Sequence, residues 1–255
     1  FTATFARIDS DLWPDIAIAA DFGTTQLAIN NRDGTFRSLG NPVLRDAQFG
    51  MGSALGDVDN DGDLDWFVTS ILGPGDDRVN LTPWGNRFYS NDGSASLIVD
   101  DTKRLGVADG SFGWAACFLD IDNDADLDIY HTNGYPVSFL TANDAYSTDP
   151  SRAFVMNAAG TYTDEAETLG LAGRTSGRGV VCADLEVGVE PTPGPGSRPV
   201  PYPEVRRAVE RTCAALVDLG ARGIVLVRFH GNPPHELALG AGGRALGGRG
   251  GLRGG

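Results

Sequence analysis

The sequence predicts a mainly β chain built as a partial β-propeller of about three blades, followed by a short α/β segment and a disordered tail rich in glycine and arginine. Three observations carry this expectation. An acidic nine-residue motif recurs with a period near 60 residues, short apolar runs of strand character surround each copy, and charge and composition change abruptly after about residue 185.

Residues 57–65 read DVDNDGDLD and residues 120–128 read DIDNDADLD, identical at seven of nine positions at a separation of 63. An earlier copy, RIDSDLWPD at 7–15, starts 50 residues before the second. A truncated fourth opens with ADLE at 183–186 and places Asp184 64 residues after Asp120. Seven residues ahead of the leading aspartates stand Gly50, Gly113 and Gly177, the first two preceded by Phe49 and Phe112. After each complete copy comes a short apolar run: IAIAA at 16–20, WFVTS at 66–70 and IYHTN at 129–133. Further along, LAINNRDGTF at 27–36, RFYSNDGSASLI at 87–98 and AFVMNAAGTY at 153–162 place a Gly-containing turn between two apolar stretches, as a hairpin requires. Each unit therefore reads as strand, acidic loop, strand, strand, turn, strand. Four short antiparallel strands per unit suit a propeller blade, and their periodicity excludes a solenoid of helical repeats.

In the second copy Asp57, Asp59, Asp61 and Asp65 occupy positions 1, 3, 5 and 9, with Asp63 at position 7 and Gly62 at position 6, where the chain bends. Alternate spacing lets carboxylates converge on one point, which is the oxygen-rich cage that a hard cation of Ca²⁺ size prefers. Asp120, Asp122, Asp124, Asp126 and Asp128 repeat the pattern in the third copy, with Ala125 in place of the glycine. The first copy is poorer: Arg7, Ser10 and Leu12 replace Asp, Asn and Gly, leaving Asp9, Asp11 and Asp15 as a possible third calcium site. The fourth copy keeps Asp184 and then diverges into LEVGVE, so it is expected to bind nothing. An EF-hand would need Glu at position 12, where Val68 and His131 stand, and flanking helices in place of these β-rich runs. A charge run is ordinarily a solvated turn, but recurrence at fixed offsets in one strand context argues for a bound cation.

These features resemble the FG-GAP (VCBS) repeats of integrin α-chain-like propellers, in which an FG pair, a DxDxDGxxD loop and a following strand recur in every blade. Phe49-Gly50 with 57–65 and Phe112-Gly113 with 120–128 carry the likeness, which covers about residues 1–185. The stretches GMGSALGDVDNDGDLDWFVTS and NRFYSNDG look like exported bacterial proteins similar to cartilage acidic protein. The resemblance implies calcium ions that rigidify blades, a protein or carbohydrate ligand on the propeller surface, and an extracellular or cell-envelope location. A seven-bladed ring of such units would need about 420 residues. Three units and a stub are expected to form a fragment or an open arc.

Residues 1–190 hold 30 acids against 11 bases, and 191–255 hold 4 against 9, so a net −19 is followed by +5, which together give −14. The acidic part disfavours nucleic acid and favours cations. No run approaches the roughly 18 apolar residues of a membrane span. Domain boundaries are expected at 1–185 for the repeats, 186–202 for a Pro/Gly linker, 203–239 for a helix–strand segment and 240–255 for the tail. In the helix–strand segment Pro203 opens an amphipathic pattern through Val205, Ala208, Val209, Leu216 and Leu219, and IVLVRF at 224–229 reads as a buried strand ending in HGNPPHE. This piece resembles part of the creatininase family of metal-dependent amidohydrolases. On that likeness His230 would be a Zn²⁺ or Mn²⁺ ligand, with His235 and Glu236 nearby, and the chain would be an incomplete hydrolase.

Overall fold

The computed structural model describes residues 2–180, apart from 48, 72–84, 95–97, 123, 135–147, 175, 176 and 178, and in addition Arg207, Arg211 and Ala214. The chain divides into two compact units, Phe1–Val180 and Val181–Gly255. In the second unit the three described residues are helical and exposed. The expected linker, buried strand and tail lie outside the described residues.

The first unit holds three four-stranded antiparallel sheets, each a simple meander in chain order. The first consists of β1 (Thr2–Ala6), β2 (Asp15–Ala19), β3 (Gln26–Asn30) and β4 (Phe36–Leu39). The second consists of β5 (Gly50–Gly56), β6 (Asp65–Ser70), β7 (Arg87–Ser90) and β8 (Val99–Asp100). The third consists of β9 (Gly113–Leu119), β10 (Asp128–Asn133), β11 (Arg152–Met156) and β12 (Tyr162–Asp164). Each of the three complete acidic copies connects the first and second strands of its sheet, and each Gly-containing turn connects the third and fourth. These are blades of a partial propeller, as the repeat predicts. In the second blade the last strand starts at Val99, later than the apolar run around Ile98 suggests; Ile98 is instead buried in the core.

The blades are held together by apolar faces that alternate along each strand. Ala17, Ala19, Leu27 and Ile29 of the first sheet pack with Trp66, Val68 and Tyr89 of the second. The opposite face of the second sheet, through Ala54, Phe67 and Phe88, packs with Ile129, Phe154, Met156 and Tyr162 of the third. With a blade on either side, β6 is buried at all six positions, whereas β2 alternates buried and half-buried residues. The other face of the first sheet aligns Phe5, Ile16 and Ala28 across three strands. Counted from the aspartate at position 9, Ile16 and Ile18 match Trp66 and Val68, the residues by which the second blade packs on the first. Phe5 on this face is 65% exposed.

The Phe-Gly pairs act at the blade junctions. Phe49 bridges to Asp21, and Phe112 bridges to Ile71. The Gly50 N–H donates to the Ala20 carbonyl at 3.2 Å, and the Gly177 N–H donates to the Asn133 carbonyl at 3.0 Å. Ala20 and Asn133 hold the same place in their units, so the glycine of the truncated fourth copy docks on the third blade as Gly50 docks on the first. First strands of successive blades approach so closely that a Cβ on Gly52 would lie 2.0 Å from the Trp114 carbonyl oxygen. Backbone cannot yield as a side chain can. Gly52→Ala is expected to destabilise the unit by about 1–3 kcal/mol, as overpacking does, and urea denaturation with an unchanged midpoint would count against this junction.

Candidate metal centre

Each acidic loop is first a backbone device. Aspartate side chains accept hydrogen bonds from amides two residues on, a local turn that these short side chains form readily. The Asp61 N–H donates to Asp59 Oδ1 at 3.3 Å and the Asp63 N–H to Asp61 Oδ1 at 2.9 Å, while the Gly62 N–H reaches back to Asp57 Oδ2 at 3.1 Å. The third blade repeats this closure: the Ala125 N–H donates to Asp120 Oδ2 at 3.1 Å and the Asp126 N–H to Asp124 Oδ1 at 3.0 Å. Gly62 and Ala125 both take positive φ, 95° and 76°. The left-handed backbone is open to glycine and costs alanine about 1 kcal/mol or more. Ala125→Gly is therefore expected to stabilise the third blade by about 0.5–1 kcal/mol, part of the relief being offset by glycine's larger entropy loss. A lowered thermal midpoint would contradict it.

The consequence of these turns is convergence. Among the described residues two groups of acidic side chains bring ligand atoms within 4.8 Å of one another: Asp57, Asp59 and Asp61, and Asp120, Asp122 and Asp124. They are positions 1, 3 and 5 of the second and third loops. Burial, followed by the neighbouring charges of Asp61 and Asp57, raises the pKa of Asp59. Burial, followed by Asp124, does the same for Asp122. Asp57 Oδ1 is buried without a hydrogen-bond partner. Three converging carboxylates that repel one another, one with an orphaned oxygen, fit a hard divalent cation.

Positions 7 and 9 lie outside these groups. Asp65 and Asp128 are almost wholly buried, and each clamps two strands. Asp65 Oδ2 accepts from the Val58 N–H at 3.1 Å and Oδ1 from the Asn91 N–H at 3.0 Å. Asp128 accepts from Ile121 at 2.7 Å and Met156 at 2.8 Å. Asp15 repeats the clamp with Ile8 at 3.0 Å and Asn30 at 2.8 Å. Both oxygens of each are thus engaged by backbone, tying the start of the acidic loop to the end of the third strand. At position 7, the Asp63 carboxylate occupies the space over Gly93, where a Cβ would lie 2.2 Å from Oδ2. The alternate spacing makes each of these aspartates a candidate ligand, and the sheet gives position 9 a structural role besides. Position 9 stays Asp in the first loop as well, where positions 1 and 6 are lost.

In the first loop Asp9, Asp11 and Asp15 form no such three-carboxylate group. Asp11 instead pairs with Arg32, whose Nη2 and Nε lie 2.7 and 3.0 Å from Asp11 Oδ2. The Trp13 N–H, and then Arg32, hold the Asp11 carboxyl below its ordinary pKa. His131, at position 12 of the third copy, lies in β10 between the rings of Phe67 and Phe154. Val68 lies in β6, so no EF-hand geometry arises. His230, His235 and Glu236 lie outside the described residues.

Burial pushes Asp65 and Asp128 up to about 6, against the lowering effect of their backbone hydrogen bonds. It also pulls His131 down to about 3. Between roughly pH 4 and 6 the folded, metal-free chain holds two carboxyl protons that the unfolded chain releases, while the unfolded chain holds one imidazole proton that the folded one rejects. Carboxyl stabilisation is complete below the unfolded value and is lost as pH rises through about 6. The histidine opposes it, being stabilising above about 6.5, but two protons outweigh one. Metal-free protein is therefore expected to melt higher at pH 5 than at pH 7, and a lower midpoint at pH 5 would contradict these environments.

Residues 7–68 match the FG-GAP-like repeat family, from the first residue of the first acidic loop to the middle of β6. No curated protein matches the chain. Among the described residues no helix is long and apolar enough to cross a membrane.

Proposed function

We propose that the first unit is a calcium-binding repeat scaffold whose blades present a surface to a protein or carbohydrate ligand, outside the cell or in its envelope. The observation that carries this reading is the convergence of three carboxylates in each of two loops with the same spacing and the same place in the blade. Asp57, Asp59 and Asp61 would hold one ion and Asp120, Asp122 and Asp124 another; the match to an FG-GAP-like repeat supports a scaffold of this kind. Each ion would neutralise a carboxylate cluster at the tip of the hairpin between a blade's first two strands, so binding would favour the folded blade. The groups are half-buried or exposed, which suits weak binding at the calcium levels found outside cells, about 10⁻⁴–10⁻³ M for extracellular modules.

Thermal unfolding in calcium, in magnesium and in chelator tests the reading. A site occupied at 100 times its Kd adds about 2.7 kcal/mol, so calcium should raise the midpoint well above that in chelator, and magnesium, which demands stricter geometry, should raise it less. Equal midpoints in calcium and chelator would sink the proposal.

A further inference from the structure

We propose that the first acidic loop holds an arginine of its own chain where the second and third hold a metal ion, so that Arg32 and Arg7 decide which blades respond to calcium. The inference rests on the calcium reading of the other two loops. In each blade the clamp aspartate at position 9 accepts from one residue at the end of the third strand or beyond it: Asn30, Asn91 or Met156. Two residues on from these anchors stand Arg32, Gly93 and Ala158. Only in the first blade does that place carry a cation. Arg32 takes φ 65° there, close to the 76° of Gly93. Its guanidinium then reaches 21 residues back to Asp11, placing two N–H donors on Oδ2.

Two further differences fit the exchange. At position 1, where Asp57 and Asp120 close their loops by accepting from the residue at position 6, the first loop has Arg7. At position 6 it has Leu12, whose φ is not positive, in place of the left-handed Gly62 and Ala125. Removing one carboxylate and supplying one guanidinium gives Asp11 a permanent positive partner, which needs no dissolved ion and is released neither by chelation nor by dilution. Arg7, Leu12 and Arg32 are all exposed, so the exchange can be reversed by substitution without disturbing the packed faces.

Hydrogen exchange of the intact chain in calcium and in chelator reads this out. Removing calcium should speed exchange across 57–65 and 120–128 and leave 7–15 unchanged. Arg32→Gln should speed exchange in 7–15 about three- to fivefold in both solutions, the scale of a well-formed surface ion pair. Calcium-dependent exchange at 7–15 in the wild type overturns the proposal, as does an Arg32→Gln variant with unaltered exchange there. Arg7→Asp, Leu12→Gly and Arg32→Gly together should add one calcium equivalent to the wild-type stoichiometry; an unchanged stoichiometry in a chain whose other loops still bind also overturns it. Failure of 57–65 and 120–128 to respond to calcium is a separate result. It would sink the calcium reading, and the Arg32→Gln comparison alone would then judge the arginine.

Discussion

Replacing Asp59 and Asp122 together by alanine is expected to abolish calcium binding by the first unit, while either change alone removes one of two equivalents. Position 3 lies between the other two members of each group, and burial, followed by the charges of both neighbours, raises the pKa of Asp59 and of Asp122. Removing it leaves two carboxylates, too few to replace the water that Ca²⁺ surrenders to six to eight oxygens. The same change relieves repulsion in the metal-free loop. The variants should therefore be as stable as the wild type in chelator, or slightly more so, and should lose the calcium-induced rise in midpoint. Isothermal titration gives the stoichiometry and thermal unfolding the stability. Variants that kept both equivalents would show that the ions sit elsewhere.

Asp65→Ala and Asp128→Ala are expected to act in the opposite manner, destabilising the unit by about 3–5 kcal/mol whether or not calcium is present. Each leaves two buried backbone N–H groups unsatisfied, at about 1–3 kcal/mol apiece. In the second blade these belong to Val58 and Asn91; in the third they belong to Ile121 and Met156. The loss of a desolvated carboxylate offsets part of the cost. Asn at either position keeps one acceptor oxygen and should fall between alanine and the wild type. Denaturation in chelator separates this role from metal ligation: were position 9 only a ligand, Asp65→Ala would leave metal-free stability untouched. Both clamps sit beside the interface of the second and third blades, so the two changes should not be strictly additive.

The contrast between positions 3 and 9 shows what the sequence could and could not convey. Blade order was legible because the motif repeats with strand-forming runs at constant offsets, and the turns at 31–34 and 91–93 carry glycine where the hairpin needs it. The convergence of positions 1, 3 and 5 was legible too, since alternate spacing in a tight loop leaves the carboxylates little choice. The clamping role of Asp65 was not, because its partners, the Val58 and Asn91 amides, are brought together by the sheet and not by local spacing. The pairing of Arg32 with Asp11 was hidden for a related reason: it joins two loops through the register of β2 and β3, which local spacing does not reveal. Gly52 is similar. Its need for no side chain comes from Trp114 in the next blade, a contact made by stacking and not by the strand itself.

Calcium anomalous scattering from crystals of the chain grown in calcium tests the central claim most directly. The account predicts two peaks, one among Asp57, Asp59 and Asp61 and one among Asp120, Asp122 and Asp124, and none in the first loop, where the Arg32 guanidinium lies on Asp11. Peaks absent from both groups would contradict it.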